Sequence, residues 1–163
     1  MGNKKLLLGT VALVLFVAVA GVAAYKVWPL LNPELEYIAA LDDDCDLRGG
    51  PCQSVLPDNA SVSFAIEPRE IPLVQPLKLT VDVTGVEVDS VEIDFAGVDM
   101  NMGYNRPKLE KTGDGQFAGE GILPVCVRDA MEWEARVLLK TDDGLVAAPY
   151  RFITVKPGMA LPQ

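Results

Sequence analysis

The chain has 163 residues, half of them apolar, and a formal net charge of −9. From Asn32 onward there are 23 acidic and 11 basic side chains, and this acidic excess argues against nucleic-acid binding because it repels phosphate. There is no histidine, which removes the commonest general base and the commonest metal ligand. We therefore expect a protein that is not an enzyme.

Residues 1–28 predict a membrane anchor. Leu6 to Ala24 is a run of 19 residues without charge, long enough to cross the bilayer as a helix. Lys4 and Lys5 precede it and predict a cytoplasmic N-terminus, while Pro29 discourages continuation of the helix. The expected product is a single-pass protein of a bacterial inner membrane with its C-terminal domain in the periplasm.

A cleaved signal peptide is the alternative to a retained anchor. Ala18-Val19-Ala20 before Gly21 matches the small-x-small pattern of a cleavage site that follows a basic segment and an apolar run. Both interpretations export the remainder of the chain.

Residues 29–60 predict a juxtamembrane linker, with a short helix or plain linker at Asn32 to Leu41. Cys45 and Cys52 flank a turn rich in glycine and proline, and in an oxidising compartment this spacing favours a disulfide. The alternatives are a reduced dithiol that binds metal, a redox switch, or a thiol oxidoreductase.

Residues 61–157 predict a β-domain, followed by a tail at 158–163. Apolar and polar residues alternate in several runs, which is the period of a half-buried strand; the clearest runs are Val62 to Ile66, Leu77 to Val83, Val91 to Phe95 and Met131 to Leu139. Seven short strands with closely spaced turns predict an all-β, antiparallel, immunoglobulin-like sandwich. The apolar phase shifts at Ala96-Gly97, where we expect a bulge or a strand switch.

Sulfur-containing side chains are the candidate functional residues. Met100 and Met102 stand two residues apart beside turn residues, which places them at a strand end, and Cys126 and Met131 belong to a second such segment. Thiolate and thioether sulfurs suit Cu(I). We therefore predict a Cu(I) site with Met100, Met102, Cys126 and Met131 as ligands and the Trp133 ring as a neighbouring cation–π surface. Plain core packing is the alternative for these side chains.

The segments Asp94 to Gly103, Leu123 to Cys126 and Met131 to Trp133 resemble small membrane-anchored bacterial proteins of the FixH-like and YtkA-like kind. They also resemble proteins that accompany Sco-type copper chaperones. This resemblance implies a periplasmic accessory role in respiratory oxidase assembly or copper handling, with an oxidase or a copper chaperone as the partner. The absence of histidine departs from many periplasmic copper carriers and leaves Cu(I) as the expected ion.

A different class of function also fits the sequence. The domain is then an immunoglobulin-like interaction module of a membrane complex, without metal, and its methionines serve as adaptable apolar contacts. Cu(I) binding that depends on Met100 and Met102 discriminates the two.

Overall fold

The computed structural model describes residues 2–31 and 35–159, which belong to two compact units, Met1–Glu34 and Leu35–Gln163. The first unit contains one helix, α1 (Gly2–Leu31). Its stretch Gly9–Lys26 is apolar and has no buried residue, so by length and composition it can cross a membrane or act as a signal sequence. The helix continues two residues beyond Pro29, since a proline in the last turn removes a single backbone hydrogen bond.

The described part of the second unit is built from nine strands. They are β1 (Leu35–Ile38), β2 (Cys52–Val55), β3 (Ser61–Glu67), β4 (Leu77–Thr84), β5 (Ser90–Gly97), β6 (Lys108–Gly113), β7 (Gln116–Gly121), β8 (Ala130–Thr141) and β9 (Gly144–Val155). They form one mixed sheet in the order β1-β9-β8-β5-β6-β7-β4-β3-β2. β1 runs parallel to β9, and the other neighbours are antiparallel.

The sheet curls over a single core. β5 and β6 pair through two residue pairs, and strands from distant places in the order meet across the interior. The Phe64 ring of β3 lies 5.3 Å from the Tyr150 ring of β9, measured between centroids, and the Tyr150 hydroxyl donates to the Val62 carbonyl at 3.2 Å. The alternating apolar residues of β3, β4, β5 and β8 fill the space between, as their period predicts.

Two strands lie in the stretch that was expected to be a linker. β1 occupies Leu35–Ile38, where a short helix or plain linker was expected, and β2 begins at Cys52. All four residues of β1 are exposed, so the strand has no alternation by which the sequence could reveal it, and its backbone pairing with β9 is what makes it a strand. Residues 32–34, and residues 160–163 of the predicted tail, lie outside the described residues.

The shift of apolar phase at Ala96-Gly97 marks the end of a strand. β5 pairs with β8 without interruption from Ser90 to Gly97, so no bulge interrupts this pairing. One further backbone bond, from the Val98 amide to the Glu132 carbonyl at 3.0 Å, joins the chain to β8 before it turns into a loop. Met100 and Met102 therefore lie in this loop and not on an extended strand.

Candidate metal site: a sulfur cluster at one end of the sheet

Three segments meet at the end of the sheet where β5 stops and β8 starts. We call residues 98–107 the methionine loop and residues 122–129 the cysteine loop. The methionine loop leaves β5 after Gly97, which pairs with Trp133 of β8, and the cysteine loop leads directly into β8. The antiparallel pairing of β5 and β8 thus brings both loops and the start of β8 together.

Cys126 and Met100 are in direct contact. The Cys126 Sγ lies 3.8 Å from the Met100 Sδ, with the thiol donating to the thioether. Cys126 is buried, and Met100 is half-buried and packs against the core. Because Cys45 and Cys52 form a disulfide, Cys126 is the free thiol of this chain.

Gly97 packs against Met102 and Met131, the other two methionines of the predicted site. A β-carbon built on Gly97 would collide with the terminal methyl group of Met131 and with the backbone carbonyl of Met100, and would lie 3.1 Å from the Met102 Cγ. Met131 and Met102 therefore approach the same glycine as the backbone of Met100. The structure thus places Cys126 and Met100 in direct sulfur–sulfur contact, and it places Met102 and Met131 at Gly97, beside the backbone of Met100.

The cluster borders an open cleft. Residues 94–104 line a space of about 490 Å³, and Met100 and Met102 are only half-buried beside it. Side chains from both loops leave apolar surface exposed near the cluster; they include Tyr104 and Val127, each 82% exposed. Met100 and Met102 are thus partly exposed at this cleft, whereas Cys126 and Met131 are buried.

Trp133 is a core residue. It is fully buried, and its indole N–H donates to the hydroxyl of Thr154 at 2.9 Å. This bond gives the buried indole nitrogen its partner. The role of its ring as a cation–π surface stays a prediction.

Charged side chains connect the two loops with each other and with Lys156, the residue that follows β9. Asp99 and Arg128 form an ion pair with 3.3 Å between Oδ2 and Nη1. The Lys156 ammonium group donates to the Val127 carbonyl at 2.9 Å and to the Asp129 carboxylate at 3.0 Å. These contacts attach the C-terminal end of the cysteine loop, residues 127–129, to the methionine loop and to Lys156.

The candidate donors in contact at this end are the sulfur atoms of Cys126 and Met100. Within residues 2–31 and 35–159, no group of three or more His, Cys, Asp or Glu side chains is placed to hold a metal ion. Borderline and hard ions prefer such groups, whereas a thiolate with thioethers selects soft ions.

Two features of the site were not predicted from the sequence. The change in apolar periodicity at Gly97 marked this residue as unusual. The change alone does not show that Met131, Met102 and the Met100 backbone pack against the glycine. The Asp99–Arg128 pair joins residues 29 positions apart, and neither residue carries a motif.

No protein-family model matches the chain, and no match was found among curated proteins or solved structures. The resemblance to FixH-like and YtkA-like proteins therefore remains a prediction, and the geometry of the sulfur cluster is the basis for assigning a function.

Proposed function

We propose that this protein is an exported, membrane-anchored accessory protein that holds Cu(I) in the sulfur cluster for respiratory oxidase assembly or copper handling. The contact between Cys126 and Met100 carries the proposal. With the zinc–thiolate bond length of about 2.3 Å as the guide, two metal–sulfur bonds allow their sulfurs to be up to about 4.6 Å apart. The observed separation of 3.8 Å falls within that limit and corresponds to an angle of about 110° at a shared ion.

The donor set supports Cu(I) in preference to Cu(II) or Zn²⁺. A neutral thioether binds a soft ion without losing a proton, and one thiolate cancels the charge of a monovalent ion. Met102 and Met131 would complete the coordination from their positions at Gly97.

The proposal includes the surroundings of the site. The curled sheet would be an immunoglobulin-like sandwich, and α1 would remain as a single-pass anchor, with Lys4 and Lys5 on the cytoplasmic side and the sheet in the periplasm. The sulfur ligands would then be located in the periplasm, outside the cytoplasm.

Anaerobic titration of the full chain in detergent with Cu(I), in competition with a coloured chelator, tests the proposal. We expect one Cu(I) per chain and a loss of affinity of about tenfold or more, roughly 1.4 kcal/mol, in Cys126→Ser and in Met100→Leu. Met159→Leu is the matched control, because Met159 is an exposed methionine in the segment that follows β9. Unchanged binding by a Cys126→Ser, Met100→Leu double variant would refute the ligand assignment.

A second candidate function is supported by the exposed apolar side chains beside the cluster. Tyr104 and Val127 are each 82% exposed, and Val125 is 50% exposed, which suits an interaction module that grips a protein partner without metal. Failure of the wild-type chain to bind Cu(I) in the titration would favour this second function.

A further inference from the structure

The ion pair between Asp99 and Arg128 lies beside the closest sulfur contact. Asp99 immediately precedes Met100, and Arg128 follows Cys126 by two residues. The ion pair therefore joins the methionine loop to the cysteine loop close to Met100 and Cys126 in the sequence. Asp99 and Arg128 are 59% and 50% exposed, so solvent and salt reach the pair.

Each loop is also attached to another part of the domain. The Val98 amide donates to the Glu132 carbonyl at 3.0 Å, which holds the start of the methionine loop on β8. Lys156 holds the cysteine loop through the Val127 carbonyl and the Asp129 carboxylate. The first attachment fixes the methionine loop to β8 and the second fixes the cysteine loop to the residue after β9, whereas the Asp99–Arg128 pair joins one loop to the other.

We propose that Asp99 and Arg128 are positioning residues whose ion pair keeps the Met100 and Cys126 sulfurs together and thereby slows the release of the bound soft ion. This inference rests on the proposed function. Neither residue is a ligand in it, and both act through the residues that are.

The effect follows from the two-loop construction of the site. An ion held by sulfurs on separate loops leaves in steps, and after one sulfur detaches, its local concentration near the ion decides whether it binds again. The ion pair between Asp99 and Arg128 keeps the local concentration of the detached sulfur high. Without this ion pair, the two loops separate more often, and the ion is released faster.

A direct field effect of the two charges makes a different prediction. If Asp99 and Arg128 acted only through their electric fields, removing the aspartate would loosen a bound cation and removing the arginine would tighten it. The positioning role predicts that both substitutions accelerate release, because either one breaks the same contact. The two single variants therefore separate these causes.

The experiment measures the rate at which Cu(I) passes from the loaded full-length protein to an excess of a coloured chelator, under anaerobic conditions in a stopped-flow instrument. The variants are Asp99→Asn, Arg128→Gln and the reversed pair Asp99→Arg with Arg128→Asp. Glu67→Gln is the matched control, since it breaks another exposed ion pair, to Lys78, between β3 and β4.

We expect each single variant to release Cu(I) about 1.4- to fivefold faster, the range given by loss of one exposed ion pair, and the reversed pair to return to the wild-type rate. Raising the salt from about 10 mM to about 1 M, which screens exposed charges, should accelerate release from the wild type but not from Asp99→Asn. Glu67→Gln should release at the wild-type rate.

Two results would overturn the inference while leaving the proposed function in place. One is normal Cu(I) binding with wild-type release rates in both single variants. The other is slower release from Arg128→Gln, which would assign the effect to the field. A wild-type protein that binds no Cu(I) would instead overturn the proposed function, and the inference with it.

Discussion

Gly97 is the residue on which the sulfur cluster rests. Its missing side chain leaves space for the Met131 methyl group and for the backbone carbonyl of Met100, both of which a β-carbon would strike. The Gly97→Ala substitution should therefore overpack the site and lower the free energy of unfolding by about 1–3 kcal/mol. Urea-induced unfolding of the full chain measures this change.

Gly50 provides the matched control for that substitution. No atom lies within 4 Å of a β-carbon built there, so Gly50→Ala should change the free energy of unfolding by less than about 0.5 kcal/mol. Equal stabilities of the two alanine variants would contradict the close packing at Gly97.

Tyr150 makes the stability depend on alkaline pH. Burial raises the pKa of Tyr150 to about 12, whereas in the unfolded chain it is near the ordinary value of about 10. Between these values the unfolded state loses the proton first, so the stability that is present below pH 10 is lost as the pH rises toward 12, by a total on the order of 2–3 kcal/mol.

The Tyr150→Phe variant isolates this effect from other titrating groups. At about pH 8 it should be about 1 kcal/mol less stable than the wild type, because the hydrogen bond to Val62 is absent. At about pH 11 and above, the disadvantage should shrink and then reverse. The difference in free energy of unfolding, measured by urea titration at both pH values, decides it, and a constant difference would speak against the raised pKa.

At the scale of elements, alternation predicted strands where one face is buried and missed those where burial gives no pattern. β4 and β8 lie where their period places them, because their alternate residues enter the core. β1 is four exposed residues held by backbone bonds to β9, and such pairing leaves no trace in side-chain order. The strand order is likewise a property of contacts between distant segments.

The candidate site was predicted in part for the same reason. Turn residues beside Met100 placed it at a strand end, and the pairing of β5 with β8 explains why Cys126 arrives at the same end. The approach of Met131 and Met102 to Gly97 depends on how the loops fold back onto β5. Sequence spacing does not encode that step.

The disulfide loop 45–52 is anchored to the hydrophobic core by one of its own residues, Leu47. Leu47 at its centre is 1% exposed, Arg48 donates to the Ile153 carbonyl of β9, and Arg69 donates to the Gly49 carbonyl at 3.2 Å. The Leu47→Ala substitution should cost about 2–5 kcal/mol of unfolding free energy through the cavity it leaves.

Val55 provides the comparison for the loop. It is an apolar residue of neighbouring β2 that is 74% exposed, so Val55→Ala should stay within about 0.5 kcal/mol of the wild type. Urea unfolding of both variants with the disulfide intact measures the contribution of the buried Leu47 side chain. Similar losses in the two would show that Leu47 is not anchored in the core.

At the scale of the whole molecule, the charge is divided between two unlike parts. All 23 acidic residues follow Asn32, whereas Lys4, Lys5 and Lys26 are the basic residues that precede it. Under the positive-inside rule a basic N-terminus predicts a cytoplasmic location, and like charge disfavours contact between an acidic surface and anionic lipid. The same distribution fits both a retained anchor and a cleaved signal peptide.

Retention of α1 is therefore a prediction that needs its own measurement. We expect the mature protein to keep the residues before Gly21 when its intact mass is determined, and to resist extraction from membranes at alkaline pH.

The Val14→Lys substitution, in the middle of the apolar stretch, should cost about 2.5–3.5 kcal/mol of insertion free energy and reduce the membrane-bound fraction. Tyr25→Lys is the control, since Lys26 already occupies that end of the stretch. A soluble mature chain that begins at Gly21 would show that the helix is a signal peptide and that the β-domain is released from the membrane.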